Sequence, residues 1–107
     1  MTKVVVEAGV CGFSTTITVV KLPSQRVRIT LVSDCEMVSK IGGQLEELDW
    51  RSALRQKGNR LVYKAAFQCT RHATCPVPVA ILKAIEVEVG AALPGDVIIR
   101  FEATDDG

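Results

Sequence analysis

The sequence predicts an α+β domain, and three observations carry that expectation. Three runs rich in β-branched residues crowd the N-terminal part, at 4–10, 14–22 and 26–32, each bounded by turn residues. Stretches with capping residues, prolines and helical spacing fill 33–90. A last apolar run, DVIIRFE at 96–102, returns to strand composition. The expected order is a three-stranded antiparallel meander, a helical crossover and a final strand in the same sheet, βββ–ααα–β. With 107 residues, 48% of them hydrophobic, the chain is expected to form a single domain over 1–107 with its own core.

VVVEAGV at 4–10 is apolar and β-branched, and the glycines at 9 and 12 set a turn around Cys11. STTITVVKL alternates, with Ile17, Val19 and Leu22 on one face, and LPSQ makes the next turn. In RVRITLV the alternation places Val27, Ile29 and Leu31 on one side and Arg26, Arg28 and Thr30 on the other. Ser33 followed by Glu36 has capping-box spacing and predicts a helix from Asp34, with Met37, Val38 and Ile41 apolar and Gly42–Gly43 ending it. QLEELDWRSALRQKG predicts one or two short helices with Leu45, Leu48, Trp50 and Leu54 inward, and KGNR a turn. LVYKAAFQC at 61–69 suits either a helix or an extended piece. Pro76 and Pro78 open the last helix, where the first amides have no intrahelical partner. Its stripe is Ile81, Ile85 and Val89, with Lys83 and Glu86 outside and Gly90 or Gly95 closing it. ATDDG is an acidic tail. No internal repeat or linker interrupts the chain.

Thirteen basic and twelve acidic residues leave a formal net charge of +1. That gives no electrostatic case for nucleic acid or for an anionic membrane surface. The aromatics Phe13, Trp50, Tyr63, Phe67 and Phe101 are scattered, unlike a base-stacking platform. No stretch reaches the roughly 20 apolar residues a membrane span needs. The N-terminal apolar run is short and broken by Glu7, unlike a signal peptide. A cytoplasmic location is expected. The free edge strands of such a sheet suit pairing across a two-fold axis, so a homodimer is one expectation.

Cys11, Cys35, Cys69 and Cys75 are the residues that carry chemistry. Strands one and three of a meander run the same way, so Cys11 and Cys35, just past their ends, fall at one sheet edge. A right-handed crossover into a final strand parallel to strand three brings Cys75 to that edge, with Cys69 one short loop away. Cys35 and Cys75 also lie at predicted helix starts, where free amides and partial positive charge favour a thiolate.

Three readings follow. Four thiolates suit zinc or an iron–sulfur cluster, although the closest pair, Cys69 and Cys75, lacks CxxC spacing. A redox pair is the second, Cys69 with Cys75 or Cys11 with Cys35. The third is packing, since free cysteine is among the most buried residue types. His72 lies in a polar TRHAT stretch and is read as solvated, with a ligand role in a Cys3His set as the alternative. A Cys–His nucleophilic pair lacks a third orienting group, so the expectation leans away from an enzyme. Gly9 and Gly12 resemble half a phosphate loop but lack the rest of that motif. Asp34, Glu36, Glu46, Glu47 and Asp49 read as surface charges, and Arg26 and Arg28 as a solvated strand face.

VEAGVCGF, SDCEMV and HATCPVPVAILKAIE together resemble a family of small, uncharacterised four-cysteine proteins of anaerobic bacteria and archaea. The similarity covers Val6 to about Phe101. It implies that all four cysteines belong to the family's hallmark segments, which favours one shared site, and that an oxygen-sensitive cluster would suit the setting. The combined expectation is a metal or iron–sulfur binding protein with electron-transfer, carrier or regulatory use. The rival is a non-enzymatic interaction module with redox-active or buried cysteines.

Overall fold

β-Branched residues resist helix and pack well on a pleated surface, and the N-terminal runs behave accordingly. The structure, a computed structural model, describes residues 1–55, 60–70 and 73–105. Strands β1 (Thr2–Glu7), β2 (Ser14–Leu22) and β3 (Arg26–Ser33) form the expected antiparallel meander. The register pairs Val4 with Ile17, Ile17 with Leu31 and Val19 with Ile29. Alternation sends Val6, Ile17, Val19, Val27 and Ile29 into the core. The opposite face, with Val5, Thr16, Thr18, Val20 and Thr30, has no helix layer over it among the described residues.

β1 stops earlier than its composition suggests. Gly9, at φ +74°, starts a 3-10 turn over Gly9–Cys11, and Gly12, at φ +72°, closes it. Both angles lie where a side chain is strained. At the next turn Ser24 and Gln25 take φ of +62° and +63° without being glycine.

The first helix, α1 (Glu36–Gln44), begins at Cys35 rather than Asp34, and no side chain caps it. Ser33 Oγ instead accepts from Cys35 N–H at 3.1 Å and from Thr15 Oγ1 at 2.8 Å. The serine therefore tightens the strand-to-helix corner, and the capping box does not form. Gly42 and Gly43 lie inside α1. A Cβ at Gly42 would stand 3.2 Å from Leu31 Cβ, so that glycine permits close helix–sheet approach rather than termination.

A fourth strand, β4 (Glu47–Asp49), follows α1 where a helix was expected. It pairs antiparallel with β3, Val27 opposite Leu48, and buries Leu48. Glu47 there faces Arg28 at 3.1 Å and Arg26 at 3.8 Å, so these charges are cross-strand partners. Asp49 Oδ1 accepts from the N–H of Arg51 and Ser52 at 2.9 and 3.1 Å, capping α2 (Trp50–Leu54). The ambiguous 61–69 segment is helical, α3 (Arg60–Cys69), with Val62, Ala65 and Ala66 buried at helical spacing. The KGNR turn falls largely outside the described residues, as does His72.

The last helix, α4 (Val77–Glu88), starts at Pro76 with Pro78 in its first turn. Ile81, Ala84 and Ile85 are fully buried against β1 and β2, each large side chain contributing roughly 2–3 kcal/mol. Gly90, at φ +79°, ends it: Gly90 N–H reaches Val87 O and Ala91 N–H reaches Glu86 O, the paired bonds of a Schellman turn. No helix among the described residues is long and apolar enough to cross a membrane.

The final strand does not form. Residues 91–105 are exposed and irregular and pair with no strand of the sheet. The sheet edge beside β3 is taken by β4. The fold is therefore α+β, with a four-stranded antiparallel sheet in the order β1–β2–β3–β4, one helix layer and a projecting C-terminal arm.

Candidate thiol site

The antiparallel register decides where the thiols fall. Glu7 pairs with Ser14, and Thr15 with Ser33, so the C-terminal ends of β1 and β3 share one end of the sheet. Cys11 sits there in the 3-10 turn, and Cys35 sits two residues past Ser33 as the N-cap of α1. The direction of α4 supplies the third. Glu88, at its C-terminal end, accepts from Thr2 Oγ1 at 2.7 Å and from Lys21 N–H at 2.9 Å, both at the far end of the sheet. A helix of twelve residues spans roughly 18 Å, which returns its start, just after Cys75, to the end that holds Cys11 and Cys35. This placement needs no final strand. It follows from α4 lying along β2 with its C-terminus fixed by Glu88.

Cys69 is placed elsewhere. It ends α3, and Gln44 Nε2, at the C-terminal end of α1, donates to its Sγ at 3.4 Å. Cys35 caps the opposite end of the same nine-residue helix, about 13 Å away at 1.5 Å per residue. The structure thus gathers three of the four cysteines and leaves the fourth at the other end of α1. All four are free thiols, so neither Cys69–Cys75 nor Cys11–Cys35 is joined. Cys11 is exposed; Cys35, Cys69 and Cys75 are half-buried and pack against the core.

Burial pushes the Cys75 thiol above its ordinary value. The Val77 N–H, donated to the sulfur, offsets part of the rise, and the neighbouring Cys35 and Cys11 thiols add to it. The expectation that a helix start favours a thiolate therefore fails at Cys75, because desolvation outweighs the amide. The contributions of Cys35 and Cys11 also mark the three sulfurs as electrostatic neighbours. Among the described residues, no three Cys, His, Asp or Glu side chains stand close enough to hold a metal ion.

A surface groove among the described residues lies apart from the thiols. It runs between β3 and the end of α1, lined by Thr30, Ser39, Gly43 and Glu47 among others. Sequence reasoning did not single out Glu88, although a carboxylate inside the apolar IEVEVG stretch was the available signal.

No curated protein and no solved structure matches the chain. The model of a family of unknown function, DUF6951, matches residues 2–101. The match takes in the cysteine-bearing segments and most of the C-terminal arm, and the chain belongs to that family.

Proposed function

We propose that the protein is a cytoplasmic, non-enzymatic thiolate protein that binds zinc or an iron–sulfur centre, with Cys11, Cys35 and Cys75 as the core of the ligand set. Cys69 is the fourth ligand of the proposed set. The observation that carries this reading is the convergence of three thiols from β1, β3 and α4, distant in sequence, on one end of the sheet. Gathering thiols beside Cys75, whose own ionisation its neighbours oppose, favours a cation, because metal binding releases thiol protons. The metal would supply either a fixed crosslink among these elements or, in an iron–sulfur cluster, a one-electron couple. The chain's own part is to hold the sulfurs. The free amides at the starts of α1 and α4 and in the Gly9–Gly12 turn offset the negative charge of a thiolate set. A carrier, electron-transfer or regulatory role in an anaerobic cell is consistent with such a centre.

The test is purification without oxygen followed by metal and acid-labile sulfide analysis per chain. Iron with sulfide, or zinc near one per chain, is expected, and Cys11→Ser, Cys35→Ser and Cys75→Ser should each abolish it. Metal-free protein with four titratable thiols overturns the reading. The interaction module with packed cysteines then takes its place, favoured by the contact of Cys35, Cys69 and Cys75 with the core. Under that second reading, alanine at these three positions destabilises the protein and Cys11→Ala, at an exposed site, does not.

A further inference from the structure

The C-terminal arm has the composition of a buried strand and the surroundings of a loop. Val97, Ile98, Ile99 and Phe101 are 59, 69, 82 and 96% exposed. Four large apolar side chains in one short run, Val97, Ile98 and Ile99 in succession and Phe101 between Arg100 and Glu102, are costly to leave in water. The molecule is elongated, 53 Å against 29 and 25 Å in the other directions. The Cα radius of gyration is 14.3 Å, above the roughly 13 Å of a compact chain this long. At the same time β1, six residues long, is an edge strand bonded only to β2. Its outward amides and carbonyls form an open template.

We propose that the arm of one chain adds as a strand to the β1 edge of a second copy, reciprocally, making a strand-exchanged dimer. An antiparallel register with Phe101 opposite Val4 and Ile99 opposite Val6 puts the apolar side of the arm beside the residues of β1 that face the core. The same register sets Glu102 opposite Lys3 on the outer face, an opposite-charge pair, with Arg100 diagonal to both Lys3 and Glu7. Pro94 and Gly95 break the chain between α4 and the strand-forming run, as the hinge of an exchanged segment does. The family match extends through Phe101, so the arm belongs to the common chain and is not an appendage. Two arms burying Val97, Ile99 and Phe101 each, with what they cover, remove on the order of 1,000 Å² or more, the lower end of stable interfaces. The exchange shares no residue with the thiol cluster and is independent of it.

The full-length protein tests this directly. Light scattering should give twice the chain mass, and Ile99→Asp with Phe101→Asp should return a monomer. A carbodiimide, which joins a lysine to a contacting carboxylate, should link Lys3 to Glu102 in the unsubstituted protein. With a mixture of isotope-labelled and unlabelled chains, the linked peptides should carry one label of each kind. A wild-type monomer, or a Lys3–Glu102 link formed only within one chain, overturns the proposal. So does a dimer that survives both substitutions. The cross-link decides the matter even where the doubly substituted chain folds poorly.

Discussion

The two ends of α4 treat their polar groups in opposite ways. At the C-terminal end, Glu88 is 10% exposed and each of its oxygens has a donor. Thr2 Oγ1 and Lys21 N–H serve it, and the Met1 α-ammonium stands 3.2 Å away. At the N-terminal end, Cys11, Cys35 and Cys75 fall at one end of the sheet, half-buried or exposed, and none is bonded to another. The first end is a finished joint between helix and sheet. The second is a set of thiols in which burial raises Cys75 and the neighbouring Cys35 and Cys11 add to the rise. A polar group kept for stability is satisfied by its neighbours, as Glu88 is and these thiols are not among themselves.

That contrast is sharpened or broken by measurement. The largest effect is expected from Glu88→Ala, which strips the acceptor from two hydrogen bonds and should cost about 2 kcal/mol in denaturant unfolding. The same carboxylate sets an acid limit. Burial alone would raise it, but the hydrogen bonds from Thr2 and Lys21 and the α-ammonium hold it below its ordinary value of 4.5. A depressed folded value means that the stabilisation is present above 4.5 and is lost as pH falls through the folded value. Glu88→Gln should flatten that acid limb, and an unchanged limb would show that the joint is not what acid breaks.

Gly90→Ala comes next. A Cβ there meets no atom within 4 Å, so the left-handed φ of +79° is the whole penalty, about 1 kcal/mol. At the other end, Cys75→Ala should cost less than about 1 kcal/mol in metal-free protein. A cost equal to that of Glu88→Ala would make Cys75 a core residue and dissolve the comparison. Its raised thiol gives a second check, since the thiolate is the form that reacts. Alkylation of Cys75 by iodoacetamide, followed by mass spectrometry, should rise steeply only above pH 9.0, and added zinc should suppress it. Pro78→Ala is the smallest change, within about 0.5 kcal/mol, because a first-turn amide has no intrahelical partner to lose.

Local rules carried some elements and misread others for identifiable reasons. The meander was legible because alternation of Ile17, Val19, Val27 and Ile29 has only one way to bury its apolar face. Pro76 and Gly90 marked the limits of α4 by backbone chemistry alone. β4 was not legible. Glu47, Leu48 and Asp49 have no strand propensity to speak of, and they are extended because the edge of β3 offers partners to them. The run 96–102 has strand composition yet pairs with no strand of the sheet. Gly42 showed a helix stop to local reasoning, yet it answers to Leu31 across the layer.

What the sequence determined by itself is the set of pieces: strand runs, helix starts, four cysteines, and a C-terminal segment with the makeup of a strand. These rest on period and backbone preference, which act within a few residues. Tertiary structure decided which pieces meet. It brought Cys75 to Cys11 and Cys35 through the direction of α4, set Cys69 beside Gln44, gave the edge of β3 to β4 and left the arm unpaired. Such outcomes turn on competition for one sheet edge and on a carboxylate stapled across 86 residues of sequence. Neither is expressed in any local stretch, because the energy lies in contacts between segments and not within them.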